Sequence, residues 1–316
     1  MFEWNTQKRP IIALAPMAGV TDAAYRQLIK SMAQEVIIFT EFVSSDAIHY
    51  KAKKTMKMLQ FDPDIERPFI VQVFGKNKEH FASACKQIEE MGADGIDINM
   101  GCPAARVVSS CHGSALIRKP ELAAELVHSA VSGISIPVSV KTRLGWENSE
   151  TLIPFCKGLV EAGAKAISIH GRTYTQKYGG EADWNPIYDL KKEISVPVIG
   201  NGDIFNAKDA VDKLGNLDGV MVGRGTIGNP WLMKEISDAF KNNLISATET
   251  RSFDQILPTI IKHCELSVKC KGEPWGIIVM RKHLAKYVRG FDGAKEVRMR
   301  LMGAETLNDV KNELTR

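Results

Sequence analysis

Long hydrophobic runs, paired cysteines and metal-ligand spacings are all missing from this 316-residue sequence. No apolar run approaches the roughly 20 residues that a membrane-spanning helix needs, so we expect no membrane partner. The first ten residues, MFEWNTQKRP, contain no apolar stretch typical of a secretory signal. The six cysteines form no CxxC pair, and no two Cys/His pairs have zinc spacing. We therefore expect a reduced, cytoplasmic protein without a metal site.

The net charge of the chain is small, but the basic and acidic residues are unevenly distributed along it. The chain has 41 Lys and Arg against 37 Asp and Glu, a net charge of +4. Residues 250–316 hold 13 basic and 8 acidic residues, a net of +5, which leaves 28 and 29, a net of −1, for residues 1–249. A basic segment is typical of a phosphate-binding face and equally of a solvated helical surface, and charge alone favours neither.

Short β-branched runs recur along the first 223 residues. Three segments resemble each other, MGADGIDIN, AGAKAISIH and LGNLDGVMVG, and in each a glycine ends a helical pattern before a buried strand. Eight strands are predicted in total, at 11–15, 36–41, 69–74, 95–99, 137–142, 166–170, 197–201 and 219–223. Eight strand–helix units over about 240 residues predict an α/β fold, a TIM (β/α)8 barrel. A doubly wound sheet is the alternative, but the first strand runs into APMAGVTD rather than a GxGxxG turn.

The end of the chain predicts a small helical domain. Helical periodicity without a strand signal covers 253–271, 275–290 and 293–302. We therefore predict a barrel domain over residues 1–245 and a C-terminal helical domain over residues 250–316, joined by a linker near 243–252.

Polar side chains follow the predicted strands at the end where barrel enzymes carry their active sites. A cluster of Gln, Asn, Lys, His and Cys side chains at one barrel mouth has no explanation in packing, because buried polar groups cost free energy unless they find partners. The motifs GNGD and VGRG follow the seventh and eighth strands, where barrels commonly bind a phosphate. Glycines let backbone N–H groups approach an anion, and Arg224 adds a charge-assisted hydrogen bond.

An ordered set of motifs resembles the FMN-dependent tRNA-dihydrouridine synthases, most closely their bacterial B-type branch. These motifs are LAPMAGVTDAAYR, VQVFG, DINMGCPAARVV, VKTRLGW, IHGRT, GNGDI and VMVGRG. The resemblance continues into the tail, where MRKHLAKYVRGFDGAKEVR is similar to the RNA-binding domain of the family. It implies a barrel that holds FMN and uses NADPH as the reductant. The positions that match FMN contacts of the family are Pro16, Met17, Ala18, Gln72, Lys141, His170, Asn201, Gly202, Asp203, Gly223 and Arg224.

The resemblance also implies a reaction on tRNA. NADPH reduces FMN, the flavin N5 delivers a hydride to C6 of a uridine, and an acid protonates C5 to give 5,6-dihydrouridine. Cys102 matches the catalytic cysteine, and Asn99 matches a position that meets the uracil. An ordinary thiol has a pKa of about 8.5, so it is protonated at neutral pH and suits proton donation. Cys111 stands where the family pattern has a small residue, and we assign it no role.

A basic face on the tail and the barrel rim is expected to contact tRNA, because the target base must leave its stack to reach the cavity. The candidates are Arg143, Arg172, Arg281, Lys282, Lys286, Arg298 and Arg300, with His283 and Arg289 expected on the same tail face. We predict no obligate protein partner.

Two other functions remain open from the sequence. A small-molecule FMN oxidoreductase of the dihydroorotate-dehydrogenase type shares the barrel and phosphate loops, but it leaves the basic tail unexplained. A non-catalytic RNA-binding protein on a decayed barrel is the other alternative, and the intact set Gln72, Cys102, Lys141 and His170 argues against it.

Overall fold

The computed structural model describes residues 1–242 and 251–315, and its centre is a closed barrel of eight parallel strands. In chain order the strands are β1 (Ile11–Leu14), β2 (Ile37–Phe39), β3 (Val43–Ser44), β4 (Phe69–Phe74), β5 (Gly95–Asn99), β6 (Val138–Arg143), β7 (Ala166–His170), β8 (Val198–Asn201) and β9 (Gly219–Val222). Strand β3 is a two-residue addition beside β4. The other eight pair in the order β2-β1-β9-β8-β7-β6-β5-β4, and pairing of β2 with β4 closes the barrel. The predicted TIM barrel is confirmed.

Helices surround the barrel and cover its outer face. They are α1 (Ala23–Met32), α2 (Ser45–His49), α3 (Lys53–Met58), α4 (Lys78–Glu90), α5 (Ala105–Val108), α6 (Pro120–Val131), α7 (Leu152–Glu161), α8 (Asn185–Glu193), α9 (Ala207–Leu214) and α10 (Leu232–Asn242). Helix α4 begins where the Asn77 side chain accepts a hydrogen bond from the backbone of His80. Its apolar face, which includes the fully buried Cys85, packs into the core between barrel and helices.

The barrel interior changes from apolar to polar along the strand direction. Alternate residues of each strand point inward. At the amino-terminal end the interior is apolar, and Trp4, with 1% of its surface exposed, packs there against Ile11 and Phe39. One layer further along, the buried interior includes Gln72 and Asp97. The polar groups of a site therefore stand on a closed apolar base.

The described part of the tail is helical and has its own apolar core. Its helices are α11 (Phe253–Lys271), α12 (Trp275–Tyr287), α13 (Ala294–Leu301) and α14 (Leu307–Leu314). The first three match the predicted helical segments, and α14 was not predicted. Ile260, Met280, Leu284 and Val310 belong to the shared core. The predicted boundary between 245 and 250 lies outside the described residues, as does most of the predicted linker. No helix within residues 1–242 and 251–315 is long and apolar enough to cross a lipid bilayer.

The helical tail packs against the barrel beside its mouth. Lys271 Nζ donates to Asp22 Oδ2 at 2.6 Å, which ties α11 to the amino-terminal cap of α1. The Tyr25 ring of α1 stacks on the His283 ring of α12, with 5.4 Å between ring centroids. A Cβ placed on Gly19, in the loop after β1, would lie 3.4 Å from Lys282 Nζ. These contacts place α12 next to the carboxyl ends of the strands.

Candidate active site

A cavity of about 630 Å3 opens at the carboxyl ends of the barrel strands. Its lining includes Cys102, Asn99, Arg143 and every residue that the sequence predicted to contact FMN. These residues come from positions as far apart as Pro16 and Arg224, and they meet because parallel strands of a barrel end at one rim. Their contact with a flavin stays a prediction.

Loop residues that the sequence analysis missed complete the wall of the cavity. Phe42, Lys177 and Tyr178 all line it. The Tyr178 ring centroid lies 5.5 Å from Cζ of Arg143 and 5.1 Å from Cζ of Arg224, so the ring lies close to two guanidinium groups. Loop side chains have no strand or helix period, and therefore no sequence pattern indicated them.

Lys141 is a half-buried cation on the cavity wall. Its Nζ donates to Oδ1 of Asn201 at 3.0 Å, and Nδ2 of Asn201 donates to the carbonyl of Met221 at 2.7 Å. Burial lowers the pKa of Lys141 to about 8, and the charge of Arg143 adds to this effect while Asp97 opposes it. Within the described residues no carboxylate forms an ion pair with Lys141. The site therefore holds positive charge that suits an anionic ligand.

His170 is neutral at physiological pH. Burial lowers the pKa of His170 to about 2, and four surrounding cations, among them Lys141, push it in the same direction. Arg172 Nη1 lies 3.3 Å from Nε2 of His170. A guanidinium can only donate, so Nε2 is the acceptor and Nδ1 carries the ring proton.

Asp203 is held between two arginines at the mouth. Arg172 binds both carboxylate oxygens, at 2.9 and 2.6 Å, and Arg224 Nη2 lies 3.2 Å from Oδ1. Burial raises the pKa of Asp203, but the hydrogen bond and charge of Arg172 outweigh it and hold this pKa below its usual range. Arg172 is 2% exposed and is not among the described residues that line the cavity. It lies behind Asp203, so this placement adds no support for its predicted contact with tRNA.

Cys102 stands at the rim on a turn that is held from two sides. Oδ1 of Asn99 accepts hydrogen bonds from the backbone N–H groups of Gly101, at 3.1 Å, and Cys102, at 2.9 Å. Arg143 Nε donates to the carbonyl of Gly101 at 2.7 Å. Burial raises the pKa of the Cys102 thiol, and this outweighs the opposing charges of Arg143 and Lys141. The thiol is therefore protonated at neutral pH.

Arg289, two residues after the end of α12, is exposed as expected, and the other predicted tail arginines and lysines fall into two groups. Lys282 and Lys286 are exposed on the side of α12 that faces the loops of the mouth. Three arginines have internal partners: Arg281 donates to the carbonyl of Ala304 at 3.0 Å, Arg298 to that of Val288 at 2.8 Å, and Arg300 to Glu313 at 2.6 Å.

The expectation that His283 shares the exposed face was wrong, because it is 2% exposed and stacks on Tyr25.

Two further sequence predictions concern cysteines and metals. Cys85 and Cys156 are fully buried, as predicted for core residues. Cys111 lies outside the cavity lining, with its Sγ 3.8 Å from Nζ of Lys119. Within the described ranges, no group of three or more His, Cys, Asp or Glu side chains is placed to hold a metal ion.

Comparison with known proteins relates this chain to a family. The model of the dihydrouridine synthase (Dus) family matches residues 13–316. The chain is 35% identical over 303 residues to the probable tRNA-dihydrouridine synthase 1 of Synechocystis sp., covering 95% of this chain and 84% of that protein. It is 37% identical over 298 residues to the probable tRNA-dihydrouridine synthase of Rickettsia bellii, covering 93% and 90%. It is 34% identical over 297 residues to the tRNA-dihydrouridine synthase B of Pseudomonas putida, covering 93% and 87%.

Among solved structures, histamine dehydrogenase from Rhizobium sp. 4-9 is similar with a TM-score of 0.56 at 14% identity. The match covers 81% of this chain and 48% of that one. At this identity the likeness shows the barrel fold alone.

Proposed function

The chain belongs to the dihydrouridine synthase family, and we propose that it reduces uridines in tRNA to 5,6-dihydrouridine. The observation that carries this proposal is the position of Cys102. Its protonated thiol lies at the rim of a cavity whose wall is basic, and the turn that presents it is fixed by Asn99 and Arg143. A fixed proton donor beside a cationic cavity is what a reduction of an electron-poor double bond requires.

The lining of the cavity fits FMN as the cofactor. The half-buried Lys141 ammonium has no carboxylate partner within the described residues, and Arg224 is 44% exposed at the mouth. The ends of β8 and β9 supply Gly202 and Gly223, in the region where barrels bind phosphates. A Cβ on Gly202 would lie 2.7 Å from Cβ of Ala182, so a side chain there has no room. When bound, FMN supplies the hydride that C6 of the uracil receives.

Cys102 Sγ donates the proton that completes the reaction at C5. The C5–C6 double bond gains one hydride and one proton, so the thiol is left as a thiolate. Arg143 and Lys141 both favour this thiolate electrostatically and so ease the loss of the proton. Water or a buffer acid then restores the thiol.

The remaining elements of the proposal are the reductant, the RNA face and the location. NADPH as the electron source rests on the family resemblance. For tRNA, the exposed Lys282 and Lys286 beside the mouth are the best-placed tail cations, with Arg281, Arg298 and Arg300 as further candidates. A cavity of about 630 Å3 has the size of ordinary ligand sites, and an unstacked base enters it more readily than a paired one. We place the activity in the cytoplasm, which agrees with six free cysteines.

The test is mass spectrometry of tRNA nucleosides from a strain that lacks this gene. Plasmids carrying the wild type and Cys111→Ala should restore dihydrouridine, whereas Cys102→Ala should not. Purified Cys102→Ala should still be yellow and should still oxidise NADPH. Unchanged dihydrouridine in the deletion strain would favour the small-molecule oxidoreductase, and a colourless wild-type protein would favour the RNA-binding alternative.

A further inference from the structure

A chain of buried hydrogen bonds runs from the middle of the barrel to the turn that carries Cys102. Ser139 Oγ donates to Oδ1 of Asp97 at 2.7 Å, and Nε2 of Gln72 donates to Oδ2 of Asp97 at 2.7 Å. Nδ2 of Asn99 then donates to Oε1 of Gln72 at 2.8 Å. The chain ends where Oδ1 of Asn99 accepts the backbone N–H of Cys102 at 2.9 Å. Gln72 and Asp97 are 0% exposed and Asn99 is 7% exposed.

The two ends of this chain allow only one direction for every bond in it. An ionised carboxylate accepts and never donates, so Gln72 must turn its amide nitrogen toward Asp97. Its oxygen then faces Asn99, which must in turn direct its own nitrogen at Gln72 and its oxygen at the turn. Backbone N–H groups at the far end only donate, and they require the same orientation. The carboxylate and the turn therefore fix both amides together.

We propose that Asp97 is a positioning residue, which acts through Gln72 and Asn99 to hold the Cys102 turn in one orientation. We call Asp97, Gln72 and Asn99 the Asp97 relay. The inference rests on the proposed function in so far as Cys102 is the proton donor. The relay also decides what Asn99 can offer the cavity that it lines: its second Nδ2 hydrogen, a donor that suits a carbonyl oxygen of the substrate base.

Stability alone does not explain a carboxylate at this position. Asp97 is buried inside the barrel, and Lys141 acts on it only through space, since no ion pair joins them within the described residues. Burial of an ionised group without a contacting opposite charge costs free energy even when it is hydrogen-bonded, and a neutral side chain of the same shape avoids that cost. Asn would fill the space and form the same number of hydrogen bonds, but it would not impose a direction on the relay.

Reversal of the relay provides the test. In Asn99→Asp both carboxylates, at positions 97 and 99, need a hydrogen bond from the side-chain amide of Gln72. The amide nitrogen of Gln72 can face only one of them, so its oxygen must face the other carboxylate and two acceptors meet. The double variant D97N/N99D restores both bonds of Gln72 in the opposite direction: Asn at position 97 donates to Oε1 of Gln72, and Gln72 donates to Asp at position 99. The backbone N–H groups of the turn still donate to position 99. The matched control D97A/N99D removes the same charge from position 97 but supplies no donor.

We expect N99D to have a lower melting midpoint than the wild type. Addition of D97N to N99D should raise that midpoint again by roughly 3–10 °C. After correction for the D97N and D97A single variants, D97A/N99D should recover clearly less, because it relieves only charge repulsion. Equal recovery by D97N and D97A, or recovery by neither, would overturn the relay.

A second readout reports on the thiol itself. Peptide mass spectrometry can follow alkylation of Cys102 by iodoacetamide, with the half-buried Cys270 of α11 as the internal reference. D97A should raise the Cys102 rate at least about 3-fold because the turn loses its fixed support, whereas D97N should stay within about 2-fold of the wild type. Should D97A fail to fold, Gln72→Leu breaks the relay one bond nearer the cysteine and should have the same effect. Wild-type rates in all of the folded variants would refute the proposal.

Neither measurement uses tRNA or NADPH. A failed relay would therefore leave the nucleoside experiment standing, and a failed nucleoside experiment would leave the relay standing.

Discussion

Replacement of Asp97 by asparagine should change how the stability of this protein depends on pH. Burial raises the pKa of Asp97 from its ordinary value, near 3.8, to about 6, although Gln72 and Ser139 donate hydrogen bonds to it. The folded state therefore binds a proton more tightly than the unfolded state, and stability falls as pH rises through about 6. A difference of about 2 pKa units corresponds to about 3 kcal/mol in total. About 1.4 kcal/mol of this lies between about pH 5 and about pH 8.

The measurement is urea unfolding of wild type and Asp97→Asn at several pH values, with the difference in unfolding free energy as the quantity compared. Wild type should lose about 1.4 kcal/mol relative to the variant as pH rises from about 5 to about 8. Asp189→Asn is the matched control for the loss of an aspartate carboxylate, because that side chain is 60% exposed on the surface.

A flat difference for Asp97→Asn, or a wild type that gains stability relative to it as pH rises, would refute the reasoning. Either result would mean that burial does not raise the pKa of Asp97 above its ordinary value. A loss of stability that continues without levelling off up to about pH 8 would instead mean that Asp97 is still protonated at neutral pH, and the direction that the carboxylate imposes on Gln72 and Asn99 would then lose its physical basis.

Three further predictions address the cavity and the tail. Alkylation of Cys102 should reach half of its limiting rate at a pH above about 8.5, the pKa of an ordinary thiol. A midpoint below about pH 7 would exclude a thiol that is protonated at neutral pH. The amount of flavin retained after gel filtration should be lower in Lys141→Met than in the wild type. It should also fall in the wild type as pH rises past about 8, where the Lys141 ammonium loses its proton. Flavin retention that changes neither with the substitution nor with pH would remove Lys141 from the cofactor site. Replacement of Lys282 and Lys286 by alanine should reduce the slope of log K for tRNA against log salt by about 0.7–0.9 for each lost phosphate contact. Lys192→Ala in the last turn of α8, at the end of the barrel opposite the mouth, should leave the slope unchanged. An unchanged slope in the double variant would place the RNA elsewhere.

The barrel was predictable because its signals are local. Each buried parallel strand reads as a short apolar run, and a glycine ends the helix before β5, β7 and β9, so the eight predicted strands overlap the observed ones. Helix α14 was missed even though Thr306 and Asp309 form a capping box at its start, a pattern that the sequence shows. The signal was present there, but the helix is only eight residues long.

The candidate site was predictable only in part. Gln72 and Lys141 could be identified because they lie on predicted strands near the carboxyl ends, whereas Tyr178 lies in a loop and was missed. Arg172 and His283 show a second limit: a charged or polar residue in a promising motif can be buried against a partner that lies far away in the sequence, and no local pattern reveals that partner.

The sequence by itself determined the order of strands and helices, the family, and the identity of the thiol at the end of a strand. These follow from periodicity and motif, which depend on neighbours along the chain. Only the tertiary structure decided which polar groups meet. Closure of the barrel brings Asp97, Gln72 and Asn99 into one directed chain of hydrogen bonds from two adjacent strands. It also leaves the half-buried Lys141 without a carboxylate partner within the described residues. Such contacts depend on strand register and closure, which no single stretch of sequence contains.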